Sequence, residues 1–96
     1  METLMDLDQQ QLKELRRRGH HLKPVVLTGA AGLSDAVLAE IERALNDHEL
    51  IKVKLAGADK QSRQEMAERI TAQTGAVVAQ NIGRVVLLYR ENPESS

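Results

Sequence analysis

The chain contains no cysteine, no tryptophan and no phenylalanine, and one tyrosine among its 96 residues. Without cysteine there is neither a disulfide framework nor a thiolate metal site, and the composition fits a reducing compartment. The scarcity of aromatic rings leaves only Tyr89 to stack on a nucleic-acid base. No apolar run approaches the roughly 20 residues that cross a bilayer, and Met1 to Gln11 lacks the charged-then-apolar layout of a secretory signal. A cytoplasmic protein with no membrane partner is expected. Adjacent His20 and His21 invite a metal reading, but a metal needs three or four converging ligands, and His48 stands at the far end of another helix. No metal and no cofactor are expected. Ser34, Ser62, Ser95 and Ser96 fall in caps, a helix turn or the tail with no evident base partner, so the chain is not expected to be an enzyme.

What is present is an uneven distribution of charge. The formal net charge is −1, which gives no general attraction to nucleic acid. Between Lys13 and Gly32, however, five basic residues (Lys13, Arg16, Arg17, Arg18, Lys23) face one acidic residue, Glu14, a local balance of +4. From Asp35 to Glu49 five acidic residues stand against Arg43, a balance of −4. One basic and one acidic region on the surface follow from this asymmetry.

The stretch Pro24 to Ser34 organises the rest. Val25, Val26 and Leu27 read as a short strand, Gly29 and Gly32 as a tight loop, and Ser34 as the N-cap of a helix. Backbone N–H groups ahead of a helix N-terminus carry partial positive charge, so such a loop holds a phosphate without a basic side chain. The same glycines also serve a compact strand-to-helix turn, and four residues alone do not separate the two readings.

Elsewhere Asp8 with Gln11 forms a capping box, Leu7 is placed to staple against Leu12, and a helix runs through Arg16, Arg17 and Arg18 to Gly19 as its C′ residue. Val37, Leu38, Ile41, Ala44 and Leu45 mark a half-buried helix, with Asn46 to Glu49 connecting it to Leu50–Leu55. In that strand Ile51, Val53 and Leu55 face one way and Lys52 and Lys54 the other. Asp59 caps a third helix, Lys60 to Thr74, which Gly75 ends. A hairpin follows, Ala76 to Ile82 and Val85 to Tyr89, with Gly83-Arg84 as a type II′ turn that projects Arg84. The expectation is an α/β fold, a two-layer mixed four-stranded sheet in the order α-β-α-β-α-β-β, with residues 1–90 as a single domain and 91–96 as a disordered tail.

At Leu22-Lys23-Pro24, Gly29-x-x-Gly32-Leu33-Ser34, His48-Glu49-Leu50-Ile51-Lys52-Val53-Lys54, and Ile82-Gly83-Arg84 through Leu88-Tyr89-Arg90, the sequence resembles the bacterial YhbY family. That family is the free-standing form of the CRM domain, an RNA-binding module also found in plant organelle splicing factors. The match holds in order and spacing from about Leu12 to Arg90; each motif is weak alone, and the ordered set is specific. The resemblance implies a fold similar to the C-terminal domain of bacterial translation initiation factor 3, RNA binding, and association with precursors of the large ribosomal subunit. It likens Gly29, Ala30, Ala31 and Gly32 to the phosphate-gripping loop of KH domains. Family loops often hold a basic or polar residue where this chain has two alanines, and many members are basic overall; a grip made by backbone N–H groups depends on neither.

The expected RNA contacts are therefore Gly29, Ala30, Ala31 and Gly32, with Arg16, Arg17, Arg18, Lys23, Lys52, Lys54 and Arg84. The expected partner is ribosomal RNA in large-subunit precursors, bound by a monomer acting in assembly without catalysis, and DNA is not expected. A competing reading is a protein–protein adaptor that reaches the ribosome through the acidic helix, Asp35 to Glu49.

Overall fold

A computed structural model describes residues 8–28, 32–56 and 59–92. The elements are α1 (Gln9–Gly19), β1 (Pro24–Leu27), α2 (Asp35–His48), β2 (Leu50–Lys54), α3 (Lys60–Thr74), β3 (Val77–Ile82) and β4 (Val85–Tyr89). The order is the expected one. Their ends carry the anticipated chemistry: the Gln11 N–H donates to Asp8 Oδ1 at 2.8 Å while the Asp8 N–H donates to Gln11 Oε1 at 3.0 Å. Ser34 and Asp59 cap α2 and α3 in the same way, accepting from the N–H groups of Val37 and Ser62. Gly75, at φ 77°, closes α3 with a left-handed residue. The staple from Leu7 lies outside the described residues.

The four strands form one mixed sheet in the spatial order β1-β2-β4-β3. β1 is parallel to β2, whereas β4 runs antiparallel to both β2 and β3. The hairpin thus inserts its second strand at the centre, and the three strands that follow helices all point the same way. Gly83 takes φ 58° while Arg84 stays at negative φ, as a type II′ turn requires.

The main core lies between one face of the sheet and α2 with α3. Ile41, Leu45, Ile51, Val53, Leu55, Ile70, Val86 and Leu88 are all at most 1% exposed there. Each such side chain contributes roughly 1.5–3 kcal/mol by leaving water. The other face of the sheet is not bare. Leu87, between Val86 and Leu88, joins Leu15, Leu50 and Ala79 in a second cluster under α1, with Leu12 and Tyr89 packed against it. The expected two layers therefore become three wherever α1 lies.

Two connections differ from the sequence reading. Gly19 is not a left-handed cap: α1 includes it, the right-handed cap is His20, and a Cβ placed on Gly19 would meet Cδ1 and Cδ2 of Leu87 at 2.7 Å. Its role is close approach of helix to sheet. The link from α2 to β2 is one residue rather than four, because α2 runs on through His48. Glu49 makes the reversal at φ 64°, a strained angle for a non-glycine residue. The neighbours hold it there: its N–H donates to the Leu45 carbonyl, its carbonyl accepts from the Arg90 N–H, and its carboxylate accepts from the Asn92 N–H at 3.0 Å. Asn92 also donates from its side chain to the Asn46 carbonyl, so these bonds join residue 92 to the end of α2. The residues after Asn92 lie outside the described ones.

Candidate nucleic-acid interface

The cations named from the sequence separate into groups with different work. The Arg16 Nε donates to the Ala79 carbonyl at 2.9 Å. Ala79 is the extra residue of a β-bulge between Val78 and Gln80, where the ladder to β4 skips. A bulge frees backbone groups, and Arg16 supplies the missing partner from α1. Arg17 forks onto Glu14, with Nη2 at 2.8 Å from both carboxylate oxygens. That hydrogen-bonded carboxylate holds the guanidinium charged and raises its pKa while cancelling much of its field. Both ends of this pair are exposed, so it adds little to stability. The arginine run is therefore three residues with three surroundings.

Arg18 differs from its neighbours. With Lys23 and His48 it rims a shallow hollow of about 390 Å³ between α1, β1 and β2, floored by Leu22, Val25 and Leu50. His48 was weighed from the sequence only as a metal ligand and as part of the family motif, not as a neighbour of Lys23. Only the parallel pairing of β1 with β2 brings the end of α2 beside Lys23, and that proximity has no local sequence signal.

Lys54, the stem of the glycine loop at Thr28 and the Arg84 backbone meet at the other end of the sheet. The loop leaves β1 at Thr28, whose N–H donates to the Lys54 carbonyl at 3.0 Å and whose buried hydroxyl accepts from the Ala56 N–H at 2.7 Å. These two bonds fix the loop stem over the end of β2. Across the sheet the Leu55 N–H donates to the Arg84 carbonyl at 2.6 Å, which ties the hairpin tip to the same strand end. Gly29, Ala30 and Ala31 lie outside the described residues. Gly32 ends the loop at φ 84° with open space where a Cβ would stand, so its backbone angle, not crowding, requires glycine. Ser34 and α2 follow at once, and the helix N-terminus points its free N–H groups toward this end of the molecule.

Register places the lysines in rows across the sheet. Leu27, Lys54, Val85 and Ile82 are successive cross-strand partners, one from each strand. The next row is Pro24, Lys52, Leu87 and Gln80. Both charges in these rows are positive, and both point away from the α2–α3 core. Tyr89 is no base platform here: it packs on the cluster beneath α1. Its burial there, with Glu49 and Glu91 nearby, raises the phenol pKa. Arg90 is structural as well, donating to Glu42 and the Thr74 carbonyl at 2.8 Å and to Asn46 at 2.7 Å. It joins α2, the end of α3 and β4.

This is a small α/β protein in which one sheet face carries Lys52 and Lys54 and ends beside Thr28, the described stem of the glycine loop. The sequence profile of the CRS1/YhbY (CRM) domain matches residues 7–90, and the chain belongs to that family. It is 50% identical over 90 residues to a Pseudomonas aeruginosa protein named as a probable RNA-binding protein, spanning 94% of this chain and 86% of that one. It is also 50% identical over 95 residues to an RNA-binding protein of Haemophilus influenzae, spanning 99% and 93%. The fold matches the solution structure of a hypothetical Staphylococcus aureus protein put forward as RNA-binding, with a TM-score of 0.82, 28% identity and 95% of each chain covered.

Proposed function

We propose that this is a non-catalytic RNA-binding protein of the cytoplasm that associates with precursors of the large ribosomal subunit and assists their assembly. The loop Gly29 to Gly32 grips phosphate through backbone N–H groups, and Lys23, Lys52, Lys54, Arg18 and Arg84 neutralise neighbouring phosphates. The observation that carries this reading is the meeting of the loop stem, Lys54 and Arg84 at one end of the sheet, in a chain whose relatives bear the name RNA-binding protein. The acidic helix supports an adaptor role less well. Glu42 is already paired with Arg90, and Glu49 accepts from the Asn92 N–H.

A chain of net charge −1 does not coat RNA at random. It needs closely spaced phosphates that its few cations reach together, as folded ribosomal RNA in an incomplete subunit supplies. Sucrose-gradient fractionation with immunodetection tests the assignment: the protein is expected with large-subunit precursors and scarcely on translating ribosomes. Recovery only at the top of the gradient at low salt, or evenly across polysomes, would count against it. With about four phosphates neutralised, RNA affinity falls roughly fiftyfold between about 50 and 200 mM salt. A flat salt response would refute the phosphate grip itself.

A further inference from the structure

α1 covers only part of its side of the sheet. It seals Leu87 at 1% exposure, yet in the adjacent row Leu27 is 62% exposed and Ile82 is 64% exposed. Lys54 and Val85 stand between them, each the cross-strand partner of the next. At about 4.8 Å per strand the row is roughly 14 Å wide, with Lys54 between exposed Leu27 and half-buried Val85, and exposed Ile82 beyond. Lys52 lies about 7 Å from Lys54 along β2, and Gln80 lines the same shallow hollow as Ile82. Apolar side chains left this open in one row of the sheet, beside two lysines, offer a contact surface.

Resting on the RNA-binding reading above, we propose that this bare row, Leu27–Lys54–Val85–Ile82, receives unpaired nucleotides, with phosphates on Lys54 and Lys52 and base or ribose faces on Leu27 and Ile82. A duplex presents phosphates and hydroxyls to its surroundings and keeps its base faces stacked inside, so it covers Lys54 but leaves the aliphatic side chains without an apolar partner. Unpaired nucleotides offer both surfaces at once. The charge on the rows weighs against the alternatives. A second copy stacked face to face would bring Lys52 and Lys54 against their own counterparts, and a protein partner would have to bring acidic and apolar side chains together to a surface already continuous with the loop stem at Thr28. The row thus makes the protein a reader of loops, bulges or unfinished junctions beside helical RNA.

The test compares fluorescence anisotropy of a labelled RNA single strand of about ten nucleotides with that of its perfect duplex, for the wild type, the exposed-surface variant L27Q/I82Q, and K52Q/K54Q. On charge alone the duplex binds better, since it carries more phosphates. The wild type is expected to prefer the single strand by at least about fivefold. L27Q/I82Q should lose that preference while keeping its duplex affinity, its salt slope and its melting temperature. K52Q/K54Q should weaken both probes and flatten the salt slope. Equal or tighter duplex binding by the wild type, or an intact preference in L27Q/I82Q, overturns the inference and leaves the RNA-binding reading standing. Absence of salt-dependent binding to either probe overturns both. A self-association abolished by L27Q/I82Q, or its release from ribosomal particles with RNA affinity unchanged, assigns the row to protein contact and overturns the inference as well.

Discussion

Replacing Gly19 with alanine tests how α1 is seated. The new Cβ would lie 2.7 Å from two methyl groups of Leu87, about 1 Å inside the favourable separation of carbon atoms. Leu87 has nowhere to go: it is 1% exposed and packed with Leu15, Leu50 and Ala79. Overpacking of this kind costs about 1–3 kcal/mol. Alanine returns something for helix propensity, at most about 1 kcal/mol and less at a helix end. The net loss is about 1–2 kcal/mol, which for a protein of this size lowers the melting temperature by about 4–8 °C per kcal/mol. Urea and thermal denaturation measure it. The decisive variant is Gly19→Ala in a Leu87→Ala background, where the clash is gone and the alanine should be neutral or stabilising. If Gly19 were instead a left-handed cap, alanine would cost the same in both backgrounds, and that equality would refute the packing account.

Two further outcomes follow from charge. Asp35 opens α2 beside the end of the glycine loop, where its carboxylate favours the helix dipole but repels an incoming phosphate; Asp35→Asn should tighten RNA binding about two- to fivefold while lowering stability by about 0.3–1 kcal/mol, and a loss of affinity in the binding assay would contradict a phosphate site there. Tyr89 has a phenol pKa raised first by burial and then by Glu49 and Glu91, so the folded state favours the protonated form. Its contribution is fully present below the unfolded value near pH 10 and is lost as pH rises through the folded value. Urea melts across that range should show a steeper alkaline loss in the wild type than in Tyr89→Phe, and parallel curves would contradict the assignment.

The elements were legible because their ends are chemically marked. Asp8 with Gln11, Ser34 and Asp59 name three helix starts, and the alternation of Ile51, Lys52, Val53 and Lys54 assigns the two faces of β2. What was not legible depends on partners distant in sequence. Gly19 looks like any helix-ending glycine until Leu87 arrives beneath it, and Arg16 looks like a surface cation until the bulge at Ala79 presents a carbonyl. Glu49 carries no mark of its positive φ, because the angle is imposed by Arg90 and Asn92. Within the candidate site, Lys52 and Lys54 could be placed on a wet face from β2 alone. The neighbours that complete their rows, Leu27 and Ile82, come from both edges of the sheet.

The central position of β4 also sets an order of events. β2 meets β4 through pairs 31 to 39 residues apart, and β3 joins the sheet only through β4. As the chain emerges from the ribosome, α1, β1, α2 and β2 appear first, yet β2 has one flank open until Val85–Tyr89 has been made. Two of the three strand pairings wait for this last strand. The nascent protein therefore cannot present the row from Leu27 to Ile82 piecemeal, and a chain interrupted before Val85 should be recognised by proteases rather than by RNA.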